Sequence, residues 1–338
     1  MDRFTSKELV NSLLRSADPV RIPFMPLLFG HASRLEQIAL RSMFTDSGLL
    51  AKALENARKL YKCDMITCPF DLSLEAEACG CEIAWENDHN SPSVCRHVSW
   101  KDDLEEIEPS TFSRRGRMPV VLDAFRRLKI VVGKEVHLAA AIAGPLTLAE
   151  VLSNSDIVSG LREDPHGMRK FLTYAARIAL TSCKAFLEAG ADIIIIIDGL
   201  LHRIPEEHLT AARSLFGPIF NTIRFYNASS VLMTNIEQGK KLDVIFKLNA
   251  DGVILNCRAS HNFQQVVETA RGKGAILGIA VPSQILTASE TEITQFLLEC
   301  FGANTYKKVF LTTDWEVPLD ADPEKIHLLS KCIAGHSW

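Results

Sequence analysis

The sequence lacks the features that would assign a chain to a membrane or to a nucleic acid. Its apolar runs, Ile193 to Ile197 among them, fall far short of the ~20 residues a bilayer-spanning helix needs. The opening residues, Met1-Asp2-Arg3-Phe4-Thr5-Ser6-Lys7-Glu8, have no apolar core of the kind that a signal peptide requires. There is no excess of positive charge either. The 37 Lys and Arg face 41 Asp and Glu, a net charge of −4, so nothing draws the chain generally to nucleic acid or to an anionic membrane. Nucleophile elbows of the Gly-x-Ser-x-Gly type, Gly-x-Gly-x-x-Gly loops and Walker-type loops are absent, which removes the common signatures of serine hydrolases and nucleotide sites. The nine cysteines, an odd number scattered mostly through apolar runs, suit reduced thiols better than a disulfide framework. A cytoplasmic protein acting on small molecules or with protein partners is the expectation.

What is present is a repeating pattern. The chain of 338 residues is 47% hydrophobic and 23% charged. Short apolar runs rich in β-branched residues mark eight candidate strands: Val20–Phe29, Met65–Phe70, His137–Ala143, Asp192–Ile197, Ser230–Thr234, Gly252–Asn256, Ala275–Ala280 and Lys308–Thr312. Between them lie segments with helical apolar spacing, such as Leu49–Leu60, Met168–Ala189, Ile236–Leu248, His261–Gly272 and Ser289–Phe301. Alternation of this kind implies parallel strands joined by right-handed crossovers. Eight strands favour an α/β fold of the (β/α)8 TIM barrel type, with a doubly wound open sheet as the other solution. Residues 1–18 read as a helical segment before the barrel, and Thr5-Ser6-Lys7-Glu8 offers an N-cap and capping-box partner. Residues 19–338 then form a single domain. The polar stretch 82–118 interrupts the alternation after the second strand and reads as a long excursion on the loop side.

In a barrel of this kind the residues that end the strands line the mouth. They are His31, Asp71, Gly144, Asp198, Asn235, Cys257, Pro282 and the run Thr313-Asp314-Trp315-Glu316. The most informative segment is Cys68 to Cys81, where an apolar run gives way to Asp71, Glu75 and Glu77. Asp71 reads either as a site residue or as the N-cap of the segment Leu72–Ala78. Glu75 and Glu77 are expected to face water. Asp198 emerges directly from five isoleucines; burial would raise its pKa and suit it to proton transfer, whereas a backbone N–H cap would lower it. Two weak metal arrangements exist: Cys79 and Cys81 with Cys95 and His97, and Cys257 with His261 plus a third carboxylate.

Five motifs in order, Pro69 to Cys81, Ser91-Pro92-Ser93-Val94, Ala143-Gly144-Pro145-Leu146-Thr147-Leu148-Ala149, Ala189-Gly190-Ala191-Asp192-Ile193 and Val317 to Ile326, resemble the uroporphyrinogen decarboxylase superfamily. The resemblance runs from Pro19 to the C-terminus and is closest to the branch of methylcobalamin:coenzyme M methyltransferases and related corrinoid-dependent enzymes. It independently implies a (β/α)8 barrel. In that branch a His-x-Cys after the fifth strand and a Cys after the eighth hold zinc; the matching positions here are Met233-Thr234-Asn235 and Trp315, so the family zinc is not expected. In the decarboxylase branch an Arg-Gln-Ala-Gly-Arg motif binds carboxylates, and Gly30-His31-Ala32-Ser33-Arg34 stands in its place. Asp71 matches the Asp that binds pyrrole N–H groups there, while the decarboxylase Tyr falls near Val151 and its His near Trp315. The resemblance therefore implies a methyltransferase working with a corrinoid (methylcobalamin) carried on a separate corrinoid-binding protein. Asp71, Asp198 and His31 would be catalytic, and Asn235, Met233, Trp315, Glu316 and Cys257 would contact the small methyl donor or acceptor. The alternatives are a non-catalytic binding or accessory relative and a uroporphyrinogen decarboxylase.

Overall fold

The computed structural model describes residues 4–15, 19–87, 90–101, 108–204, 206–235, 242–256, 263–301 and 306–334. Its strands are β1 (Met65–Thr67), β2 (Glu82–Ala84), β3 (Ser93–Arg96), β4 (His137–Ala143), β5 (Ile193–Ile197), β6 (Ser229–Asn235), β7 (Gly252–Asn256), β8 (Ile276–Val281) and β9 (Val309–Thr313). Seven of them form one sheet in the order β1-β4-β5-β6-β7-β8-β9, with every neighbouring pair parallel. Parallel strands are covered on both faces and therefore read as unbroken apolar runs. Ile193 to Ile197 are all buried, as are all seven residues of β4. Helices occupy the crossovers, among them Ser47–Tyr61, Pro145–Ser153, Pro165–Glu188, Glu206–Phe225 and Glu290–Phe301. The architecture is α/β with a curled parallel sheet, consistent with a TIM-like barrel. No helix among the described residues is long and apolar enough to cross a membrane.

The first expected strand departs from regular form. Within Val20–Phe29 there is no continuous ladder, and isolated bridges stand at Arg21 and at Phe24, the latter to Leu311 of β9. Pro23 and Pro26 remove two of the N–H donors that a continuous ladder would need. The segment nevertheless lies between the two sheet edges. Leu311 N–H donates to the Pro23 carbonyl at 2.9 Å and Met25 N–H to the Leu311 carbonyl at 2.8 Å, while Asp64 N–H, just before β1, donates to the Phe24 carbonyl at 2.8 Å. The buried Asp64 carboxylate reinforces that contact. It takes a two-pronged ion pair from Arg21, both contacts at 2.8 Å, and bonds from Phe24 N–H at 2.8 Å and the Ser6 hydroxyl at 2.7 Å. Ser6 opens the helix Ser6–Leu14, whose Thr5 and Glu8 form the expected capping box.

The excursion after β1 is a structured addition. β2 and β3 pair as an antiparallel ribbon, and the chain returns through a short helix, Pro109–Phe112, to the long helix Met118–Val132. Most expected helices match closely. Of the expected Ile236–Leu248, Leu242–Lys247 is helical, and residues 236–241 lie outside the described residues.

Candidate active site

Asp71 follows β1 at the end of the sheet where the strands terminate. One carboxylate oxygen accepts from Ser73 N–H at 2.9 Å and from the Ser73 hydroxyl at 2.6 Å, just ahead of the helix Ser73–Ala78. The other oxygen takes Arg117 Nη1 at 2.6 Å. Arg117 uses its remaining donors nearby: Nε to Glu77 at 2.7 Å and Nη2 to the Ser73 hydroxyl at 2.9 Å. Its guanidinium lies over the rings of Trp85 at 5.5 Å and Phe44 at 5.9 Å, a position in which the ring faces attract the cation. Gly116 makes this approach possible. It adopts φ +52°, and a Cβ there would stand 2.8 Å from Glu77 Cγ. Asp71 thus bonds the first N–H of the helix Ser73–Ala78 from the residue before its N-cap position, which is Leu72.

The turn after β9 brings Trp315 and Glu316 to the same place. Trp315, 45% exposed, meets Phe70 edge to face at 5.1 Å between centroids. Glu316 accepts from Gly30 N–H, and Gly30 has no room for a side chain, since a Cβ would lie 2.5 Å from Glu316 Oε1. Burial, opposed by the Gly30 N–H and reinforced by the Asp71 charge, pushes the Glu316 pKa up to about 8. Asp71 is therefore brought close to the consecutive pair Trp315 and Glu316 from the far end of the chain.

His31, expected at the mouth, is fully buried. Its Nε2 bonds to the Tyr61 hydroxyl at 2.9 Å and its Nδ1 to the Pro318 carbonyl at 3.0 Å, and burial lowers its pKa. Both ring nitrogens are occupied within the fold. Asp198 is also fully buried. It accepts from Leu146 N–H at 3.0 Å and the Thr147 hydroxyl at 3.3 Å, so it holds the N-terminus of the helix Pro145–Ser153. Burial pushes its pKa up to about 7 against those donors. Thr234 ties the two strand ends together by donating to the Asp198 carbonyl at 2.6 Å. Met233 is buried in β6, and exposed Asn235 reaches the Gly199 carbonyl at 3.5 Å. Cys257 and His261 lie outside the described residues.

Two carboxylates behave differently from expectation. Glu77 pairs with Arg117, and Glu75 is 1% exposed, because the short helix turns inward against the helix Pro165–Glu188. One Glu75 oxygen accepts from the Ser182 hydroxyl at 2.9 Å, and burial pushes its pKa up to about 8 against that bond. Arg117 itself was not anticipated. Its only sequence signal is the run Arg114-Arg115-Gly116-Arg117 at the end of the excursion.

The uroporphyrinogen decarboxylase (URO-D) family model matches residues 5–336. The chain belongs to the URO-D family. Among its relatives, a methylcobamide:CoM methyltransferase, MtbA, of Methanosarcina acetivorans is 24% identical over 298 residues, covering 86% of this chain and 80% of the relative. MtbA of Methanosarcina mazei is 28% identical over 204 residues, and the match spans 59% of each chain. A solved methyltransferase structure from Methanosarcina mazei superposes with a TM-score of 0.82 at 21% identity, covering 98% of this chain and 99% of that one, which establishes the shared fold.

At the three positions where the resemblance implies zinc ligands for this URO-D family member, the donors do not suit the metal. Met233 offers a thioether, Asn235 an amide and Trp315 an indole. None supplies the thiolate or imidazole that zinc takes, so the group does not fit there. The other arrangement fits no better. Cys81 and Cys95 donate to the carbonyls of Leu152 and Glu82, and the His97 ring bonds to the Val151 carbonyl. Among the described residues no three His, Cys, Asp or Glu side chains are grouped to hold a metal.

Proposed function

We propose that this URO-D family member is a corrinoid-linked methyltransferase, built as one closed (β/α)8 barrel domain over residues 19–338 with residues 1–18 before it. It moves a methyl group between a small substrate at the strand ends and a corrinoid presented by a partner protein. The family relatives support the reaction class. The convergence of Trp315, Glu316 and Asp71 at one mouth is the observation that carries the site.

The chemistry asked of this chain's residues follows from their geometry. Trp315 gives a half-exposed aromatic wall beside Phe70 that orients a substrate and excludes water from it. Asp71, fixed by Arg117 and Ser73, is a rigid acceptor for a substrate N–H or O–H. Glu316 holds a proton at neutral pH. When a methyl group leaves an oxygen or nitrogen for the corrinoid, Glu316 gives that heteroatom its proton and is left as the carboxylate. With the zinc ligands replaced, activation of a thiol acceptor has no visible support, and a methoxyl or methylamine substrate suits the mouth better.

An anaerobic assay following the absorbance of the reduced corrinoid with methoxyl and methylamine donors tests this reading. The wild type is expected to methylate the corrinoid. Trp315→Ala should raise KM, and Glu316→Gln should lower kcat by about 100-fold or more and remove the fall in rate that the wild type shows as pH rises through about 8. Absence of transfer in the wild type, with intact fold, would instead support a non-catalytic relative, the reading favoured by the complete burial of Asp198 and His31.

A further inference from the structure

We propose that a second cavity, outside the sheet and separate from the mouth, binds a small carboxylate with an apolar body. It has a volume of about 180 Å3 and lies among the helices Pro145–Ser153, Pro165–Glu188 and Glu206–Phe225. Leu146, Leu172, Ile204 and Leu215 form its apolar wall, and Arg169 and His208 stand at its edge. Each of these helices begins near the strand ends, so the cavity sits level with the mouth but on the other side of the sheet. Leu146 separates the two: its side chain lines the cavity while its N–H holds Asp198.

The contents of the lining select the ligand. An apolar cavity of ~150 Å3 takes up benzene, so this one has room for a single ring or a short acyl chain. Apart from Thr173 and Ser214 the wall is apolar, which disfavours a strongly hydrated anion such as phosphate. The edge, however, carries the guanidinium of Arg169, for which no side-chain ion pair or hydrogen bond is found among the described residues, whereas Arg127, Arg117 and Arg203 are paired with acids. A guanidinium matches a carboxylate in a two-pronged geometry. A benzoate-sized or hexanoate-sized acid satisfies wall and edge together, with its carboxylate on Arg169 and its body among the leucines.

Calorimetric titration of the full chain with benzoate and hexanoate, and with benzyl alcohol and hexanol as neutral counterparts, tests the assignment. Saturable one-to-one binding of the acids is expected, at least about tenfold tighter than the alcohols. Arg169→Gln should weaken the acids by about 10-fold to 100-fold, the range for a hydrogen bond to a charged group, without a comparable effect on the alcohols. Leu172→Trp should abolish binding by filling the cavity; circular dichroism reports whether it folds, and Leu215→Phe makes the same test with a smaller change. Trp315→Ala, which alters the mouth, should leave the affinity unchanged. Absence of saturation, equal binding of acid and alcohol, an unaltered affinity in Arg169→Gln or a loss in Trp315→Ala would each overturn the proposal. Because the readout is binding and not methyl transfer, its outcome is independent of the reaction proposed for the mouth.

Discussion

At the scale of single residues, Arg117 organises the mouth more than any residue that the sequence singled out. Asp71 and Arg117 are almost fully buried, with 6% and 7% of their side chains exposed, and Glu77 shares the same cation. Removing one partner of a buried pair strands the other charge, which typically costs about 3–5 kcal/mol. Arg117→Met is therefore expected to destabilise the protein by roughly that amount in urea unfolding; a loss under about 1 kcal/mol would show that the network is dispensable. The sequence could suggest Asp71, because a carboxylate at the end of an apolar strand is a recognisable pattern. It could not suggest Arg117, since the partner lies 46 residues away in a polar stretch without periodicity. The burial of Glu75 was hidden for a related reason: in a six-residue helix no repeating pattern tells the inward face from the outward one. Asp198 was recognised as either site or cap, but it caps a helix that starts upstream of it, a contact that only the folded sheet creates.

At the scale of elements, most strands were readable because buried parallel strands leave long apolar runs. The segment Val20–Phe29 was readable as extended chain but not as an irregular bridge, although its prolines carried that information. Its backbone bonds to the sheet edges are reinforced by one side chain. Asp64 joins Arg21, Phe24 and Ser6, so Asp64→Ala should cost about 3–5 kcal/mol and loosen both the extended segment and the helix Ser6–Leu14. Hydrogen exchange should then show faster exchange at the amides of that helix and at Leu311, which donates to Pro23, than elsewhere in the sheet. Uniform change across the sheet would contradict a local anchoring role. The excursion likewise gains a physical meaning at this scale. Its ribbon supplies Trp85 as a lid on the guanidinium, and its returning end supplies Arg117 itself.

At the scale of the whole molecule, buried acids give stability a characteristic dependence on pH. Glu75 and Asp198 have pKa values near 8 and 7 in the fold and about 4 in an unfolded chain. The folded state therefore binds more protons than the unfolded state between about pH 4 and pH 8, and stability contributed by these two groups falls as pH rises through that window. Asp192 acts in the opposite sense. Although burial opposes it, the His137 ring, the Leu138 N–H and Lys129 hold its pKa down to about 2, so its contribution is present above about pH 4 and is lost as pH falls toward 2. The difference in urea stability between pH 5 and pH 8 should consequently shrink in Glu75→Gln and in Asp198→Asn relative to the wild type; an unchanged difference in both would show that these acids do not hold protons in the fold. Membership of the URO-D family was readable from the ordered motifs, because they mark strand ends and helix starts throughout the chain. The reaction is less directly written, since Met233, Asn235 and Trp315 stand where the resemblance implies zinc ligands. The central claim, methyl transfer by a mouth that works without the family zinc, is tested most directly by assaying corrinoid methylation before and after exhaustive treatment with a zinc chelator. An unchanged rate with methoxyl or methylamine donors is the predicted result; activity restricted to a thiol acceptor and restored only by added zinc would contradict it.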